Sequence, residues 1–183
     1  MKMELFDLYT AEREKTGRTM VRGEKVPAGC YRLVVHVCIF DAEGRMLIQQ
    51  RQPFKTGWSN LWDFSVGGSA TMGDTSRTAA ERETREELGL EIDLFDVRPS
   101  LTVHWEHGFD DYYLLTREVD LSALRLQPEE VQAVRWAEKD EILSMIDDGS
   151  FIPYEKSLIG LLFFLRDHRS THTRRDETNP MGK

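Results

Sequence analysis

Residues Gly68 to Leu90 read GSATMGDTSRTAAERETREELGL, and this stretch decides how the rest of the chain is understood. Asp74, Thr75 and Ser76 supply residues suited to cap a helix, and Ala79 and Ala80 favour its interior. Gly89 stands where a helix ends on a left-handed residue. The spacing therefore predicts a helix over 74–88. An α-helix turns about 100° per residue, so with Glu83 as origin, Glu87 falls near 40° and Glu86 near −60°. Three carboxylates share one arc. Arg82 lies one turn before Glu86, at a spacing that lets it orient that carboxylate. Ala80, Thr84 and Leu88 fall on the adjoining arc, the face expected to be buried.

Like charges gathered on one helical arc repel unless a cation sits among them. Hard divalent cations take oxygen ligands, and a Mg²⁺ site combines carboxylates, water and substrate phosphate. Glycines at 67, 68 and 73 ahead of the helix allow main-chain groups to approach the same place. A solvated helix laced with Arg–Glu pairs accounts for the same residues without any metal, and the wheel does not separate the two.

Working outward, the chain divides into short elements. Glu4–Thr10 alternates as a first strand, and Thr16–Lys25 contains a second short one. Tyr31–Phe40 and Arg45–Arg51, joined by Asp41-Ala42-Glu43-Gly44, read as a hairpin of long strands. Further strands are expected at Leu61–Gly68, Ile92–Val103, Tyr112–Val119 and Val131–Trp136. Helices are expected at Glu138–Asp147 and Tyr154–Asp167. The polar run from His168 has nothing to pack and is expected to be a flexible tail behind a single domain, 1–167. The simplest architecture is an α+β one, a mixed sheet with helices on both faces.

Composition narrows the function. With 183 residues and a formal net charge of −8, the chain lacks the basic surface that nucleic acid polymers or anionic membranes require. An anionic small molecule remains open, because a bound cation reverses the local field. The longest apolar run, Leu158–Leu165, is too short to span a bilayer, and the N-terminus has no signal-peptide core, so a cytoplasmic location is expected. Cys30 and Cys38 bound one extended run, roughly 26 Å apart at a strand rise, and are expected to stay unpaired.

The 68–90 stretch resembles the Nudix box, G-x(5)-E-x(7)-R-E-U-x-E-E-x-G-U, with U a bulky aliphatic. Gly68, Arg82, Glu83, Glu86, Glu87, Gly89 and Leu90 match in register, while Asp74 replaces the first Glu and Thr84 the aliphatic. The resemblance implies an α/β/α Nudix sandwich and a Mg²⁺- or Mn²⁺-dependent hydrolase that cleaves a phosphoanhydride bond in a small diphosphate compound. It assigns metal binding to Glu83, Glu86, Glu87 and the Gly68 carbonyl, with Arg82 orienting the carboxylates. Segments beyond the box, from Leu5-Phe6-Asp7 through Gln49-Gln50-Arg51 and Trp58…Trp62-Asp63 to Pro128-Glu129-Glu130-Val131, are similar to the isopentenyl diphosphate isomerase-like branch. Isomerases need Cys before the box glycine and His after it; this chain has Gly67 and Ser69. Their further metal-binding histidines fall on Lys25 and Arg32.

Three readings follow: a hydrolase, which is favoured, an isomerase-like enzyme, and a non-catalytic binding or regulatory module. Outside the box, Glu106 leads a cluster with His104, His107, Asp110 and Asp111 as the expected general base or extra ligand. Arg51 and Lys55 are the expected phosphate contacts, and Glu129 and Glu130 are within reach of the metals. Phe54, Trp58 and Trp62 are expected to pack into the core in preference to stacking on substrate. His36 is expected to be a core histidine with a hydrogen-bond partner. A homodimer is a candidate assembly that the sequence does not decide.

Overall fold

The computed structural model describes residues 4–168. Two strands, β1 (Leu5–Tyr9) and β2 (Lys15–Val21), form an antiparallel hairpin of their own over Phe6, Leu8, Met20, Val26 and Cys30. The main sheet holds β3 (Arg32–Phe40), β4 (Met46–Arg51), β5 (Trp62–Asp63), β6 (Val66–Ser69), β7 (Leu101–Trp105), β8 (Gly108–Thr116) and β9 (Val131–Ala137). It is mixed: β3 runs parallel to β8 along nine residue pairs and antiparallel to β6, with Val35 opposite Gly68. Helix α1 (Ser76–Leu88) covers one face through Ala79, Ala80 and Leu88 against Val35, Val37 and Val66. Helices α2 (Lys139–Asp148) and α3 (Lys156–Leu165) cover the other, around Cys38, Phe40, Ile48 and Phe64. The expected mixed sheet between helical layers is therefore the observed one.

Four strand expectations change. The 31–51 hairpin keeps a single ladder pair, Phe40 opposite Met46. Ser65 sits at the splay: its hydroxyl accepts from the Ile39 amide at 2.8 Å and donates to the Leu47 carbonyl, so it bridges the two strands just past their one ladder pair. The expected 61–68 strand divides into β5 and β6 around that serine. Of the expected 92–103 strand only 101–103 is extended, as the start of β7. Asp93 turns back to cap the Phe95 amide, Asp96 adopts φ +57°, and Pro99 has no amide hydrogen to give. Leu94 is nevertheless wholly buried, which accounts for the apolar pattern. Strand β8 begins four residues before the expected Tyr112.

Both cysteines are buried and unpaired, and burial pushes the Cys38 thiol well above its usual range. Among the described residues no helix is long and apolar enough to cross a membrane. His168, expected to open the tail, stacks on Phe164; the remainder of that segment, 169–183, lies outside the described residues.

Candidate active site

Helix α1 begins where its sequence said it should. Thr75 is the N-cap in a capping box with Thr78, and Gly89 closes the helix at φ +65°. Thr84, at the position where the box has an aliphatic residue, is fully buried. Its hydroxyl donates to the Ala80 carbonyl at 2.7 Å, so the extra polar atom is satisfied within the helix.

The predicted arc of carboxylates is present, and two of its members leave water. Glu87 is buried and, among the described residues, accepts from a single side-chain donor, the neutral amide of Gln49 on β4, at 2.8 Å. Burial first, then the charge of Glu83, push the Glu87 carboxyl well above the usual range, and Asp63 and Glu130 add to it. Glu83 is pushed up to about 7, chiefly by burial, against the pull of Arg82. Glu86 is more exposed. A carboxylate that is desolvated, beside other acids and without a cation of its own, is a poor structural element and a good cation ligand.

Gly68 meets Glu83 at close quarters. A β-carbon at position 68 would lie 2.2 Å from the Glu83 Cδ, so glycine leaves the space that the Glu83 side chain occupies. Arg82 organises the arc, donating to Glu83 at 2.9 Å, Glu86 at 3.1 Å and the Ser69 carbonyl at 3.2 Å. It also holds Asp74 at 2.8 Å. Burial alone would raise the Asp74 carboxyl; hydrogen bonds from Arg82 and Thr71 reverse this and hold it below the usual range. The shorter acid at this box position thus serves as an anchor for Arg82.

Because Arg82 stands between Glu83 and Glu86, the acids do not converge on one point. Among the described residues no three His, Cys, Asp or Glu side chains enclose a cation-sized space. The donor set still fits a hard divalent ion: Glu87 has excess negative charge around it, and the Gly68 main chain is brought beside Glu83.

Of the expected phosphate contacts, Arg51 ends β4 and Lys55 follows it in the next loop. Each has an acid partner: Arg51 lies 3.7 Å from Asp63, and Lys55 lies 2.5 Å from Glu130. Glu130 is close enough to act on Glu87, as its place before β9 suggested; no such influence is seen for Glu129.

Glu106 is not brought to this arc. It forms, with His107, the two-residue turn between β7 and β8, where its side chain is 85% exposed and lies 3.8 Å from the His107 ring nitrogen. In the register of the sheet this turn lies at least three residues, about 10 Å, beyond the level of Gly68 and two strands across. The rest of its expected cluster also disperses. Asp111 is buried and accepts from Arg13, Ser76 and Thr102, tying three segments together. Asp110 accepts from the Trp105 indole at 2.8 Å, and His104 packs edge-on to Phe109.

Two aromatic expectations also change. Phe54 and Trp58 are 67% and 54% exposed, outside the core, in a loop that main-chain and side-chain bonds pin at Gln52, Ser59 and Asn60. Trp62 is half-buried beneath Arg135. His36 is buried as expected but lacks the expected partner at Nδ1. Gln49 was missed as a site residue; its signal was a polar side chain on the inward-facing side of an apolar strand.

A model of the NUDIX domain matches residues 31–155. The chain belongs to the Nudix family. A Nudix hydrolase of Listeria innocua is 49% identical over 93% of this chain and 99% of its own length. A Deinococcus radiodurans protein of known crystal structure shares the fold, with TM-score 0.68 and 26% identity over 87% of this chain and 97% of its own. An isopentenyl-diphosphate Delta-isomerase of Shigella flexneri is a more distant Nudix relative, 27% identical over 80% of this chain and 84% of its own.

Proposed function

We propose that this Nudix protein is a Mg²⁺- or Mn²⁺-dependent hydrolase of a phosphoanhydride bond in a nucleoside diphosphate derivative or related diphosphate compound. Buried Glu87 and half-buried Glu83, the latter against Gly68, carry the reading. Glu83, Glu86, Glu87 and the Gly68 carbonyl would hold the metal. When bound, a divalent ion supplies charge neutralisation at the diphosphate and acidifies the attacking water. Arg82 fixes the rotamers of Glu83 and Glu86, so their oxygens need little reorganisation before reaction. Arg51 and Lys55 would meet phosphate oxygens once these displace their carboxylate partners. Water oxygen bonds to one phosphorus, the bridging P–O bond breaks, and the released proton passes to an α1 carboxylate.

The isomerase reading is weaker. Position 67 carries no thiol, and a β-carbon there would already lie 3.2 Å from His36 Nδ1, so a cysteine would crowd that ring. A non-catalytic module has no observation in its favour beyond the two box departures. The deciding experiment is phosphate release from a broad diphosphate panel with Mg²⁺ and Mn²⁺, beside an isopentenyl diphosphate isomerisation assay. Turnover of at least one compound, lost in Glu83→Gln and Glu87→Gln, supports the hydrolase. No turnover of any compound, or isomerisation in its place, overturns it.

A further inference from the structure

Arg32 opens β3 on the face that also carries His36, Gly67 and Ser69. Val34 stands opposite Ser69 and His36 opposite Gly67, and strand alternation puts Arg32 with them. Its guanidinium lies 5.5 Å from the Phe6 ring and 5.8 Å from the Trp105 ring. Trp105 is itself fixed by the Asp110 carboxylate, and Gly108 permits the close fold, since a β-carbon there would meet the Trp105 ring at 2.8 Å. The arginine is thus held by two rings, yet its buried Nε has no hydrogen-bond partner.

Other half-buried cations near the sheet are neutralised: Arg82, Arg51 and Lys55 all have carboxylates within ion-pair distance. Arg32 has none among the described residues. Asp110, the acid acting on it, is committed to Trp105 and lies 3.7 Å from His36. A second cation, Arg22, is near enough to oppose its charge, and Arg22 pairs with Glu4 at 2.7 Å. Arg32, with an unmet buried donor and a second guanidinium opposing its charge, has capacity for an anion. The place fits substrate. Strand β1, which supplies Phe6, is bonded to the box loop through Met72 to Leu5 and Gly73 to Asp7. Arg32 is one strand over and two residues along from Ser69, beside the glycine that faces Glu83.

We propose that Arg32, propped by Phe6 and Trp105 and reinforced by Arg22, is a subsite for a phosphoryl group of the substrate. The proposal rests on the diphosphohydrolase reading for its ligand class. The guanidinium offers a planar pair of donors that a tetrahedral phosphate accepts in bidentate fashion, which a lysine does not reproduce. Arg32 lies on the Gly67–Ser69 face of the sheet, opposite Gly108 and three residues along from the level of Gly68, so the phosphoryl group it takes is one removed from the bond that is cut.

Inorganic diphosphate is the probe, titrated by calorimetry into the protein in EDTA so that no metal contributes. Wild type is expected to bind, Arg32→Met to bind at least about tenfold more weakly, and Arg32→Lys to recover only part of the loss. Arg22→Gln, at an exposed position that folding tolerates, is expected to weaken binding about two- to fivefold and keeps the test alive if Arg32→Met does not fold. With Mg²⁺ and a hydrolysed compound, Arg32→Met should raise KM far more than it lowers kcat. Wild type that does not bind diphosphate, or Arg32 and Arg22 variants that bind within twofold of it, overturn the subsite. The hydrolase reading fails separately, through absence of turnover in wild type.

Discussion

Two acid-rich segments of this protein, the α1 helix and the β7–β8 turn, look alike in sequence and differ in the structure. On α1, Glu83 and Glu87 are pulled out of water and pressed against Gly68 and Gln49. At the turn, Glu106 extends into solvent beside His107. An exposed acid keeps its hydration and gains little from a cation. A desolvated one gains a great deal, because the ion replaces the water it has lost. Burial beside like charge, more than acid content, is what separates a candidate reaction centre from a hydrophilic loop.

The largest effect that would break this contrast is on activity. Glu87→Gln and Glu83→Gln should each lower hydrolysis by about three orders of magnitude or more, whereas Glu106→Gln should stay within about twofold. Steady-state kinetics on any hydrolysed compound gives the comparison, and a hundredfold loss at Glu106 would reverse it. Next comes Gly68→Ala. The added carbon forces the Glu83 side chain aside, and because that side chain is flexible the cost falls on catalysis, about ten- to hundredfold, more than on folding. Equal losses of activity and melting temperature would mean that the strand itself had moved.

The pH dependence of stability sharpens the contrast further. In metal-free protein Glu83 titrates near 7, above its ordinary 4.5, so the fold holds this proton more tightly than the unfolded chain does. Its contribution is full below about 4.5 and is lost as pH rises through 7. Asp74 works in the opposite direction, stabilising above its ordinary value and failing as pH falls. Melting temperatures across pH 5 to 8 should therefore decline in wild type and decline less in Glu83→Gln; parallel curves would contradict the assignment. The smallest effect is expected for Trp58→Ser, which should leave the melting temperature within about a degree, since the side chain adds little to the core.

The helix was legible because its information is local. A cap, a terminal glycine and a 3.6-residue period are all present in one run, and Arg82 finds Glu83 and Glu86 without help from distant chain. The splay of β3 from β4 involves Ser65, whose two hydrogen bonds reach back 26 and 18 residues to Ile39 and Leu47. Nothing in Tyr31–Arg51 alone announces it. The 92–103 segment misled for a different reason: Leu94 packs as a strand residue would, while Asp93, Asp96 and Pro99 bend the backbone away from one. At the site, Gln49 became visible as the partner of Glu87 only when the fold brought the two together. Phe54 and Trp58 were misplaced because aromatic content does not tell a core residue from one displayed on a pinned loop.

Metal titration followed by thermal melting tests the central claim most directly, with wild type, Glu83→Gln and Glu87→Gln compared at pH 8. Metal-free, each variant should melt at or slightly above wild type, because a buried like charge has been removed while Gln49 keeps an acceptor at position 87. Mg²⁺ or Mn²⁺ at a hundredfold excess over Kd should stabilise wild type by about 2.7 kcal/mol, and that gain should shrink in both variants. If both variants melt below wild type and metal shifts none of the three proteins, the arc is a structural ion-pair surface and the metal site is contradicted.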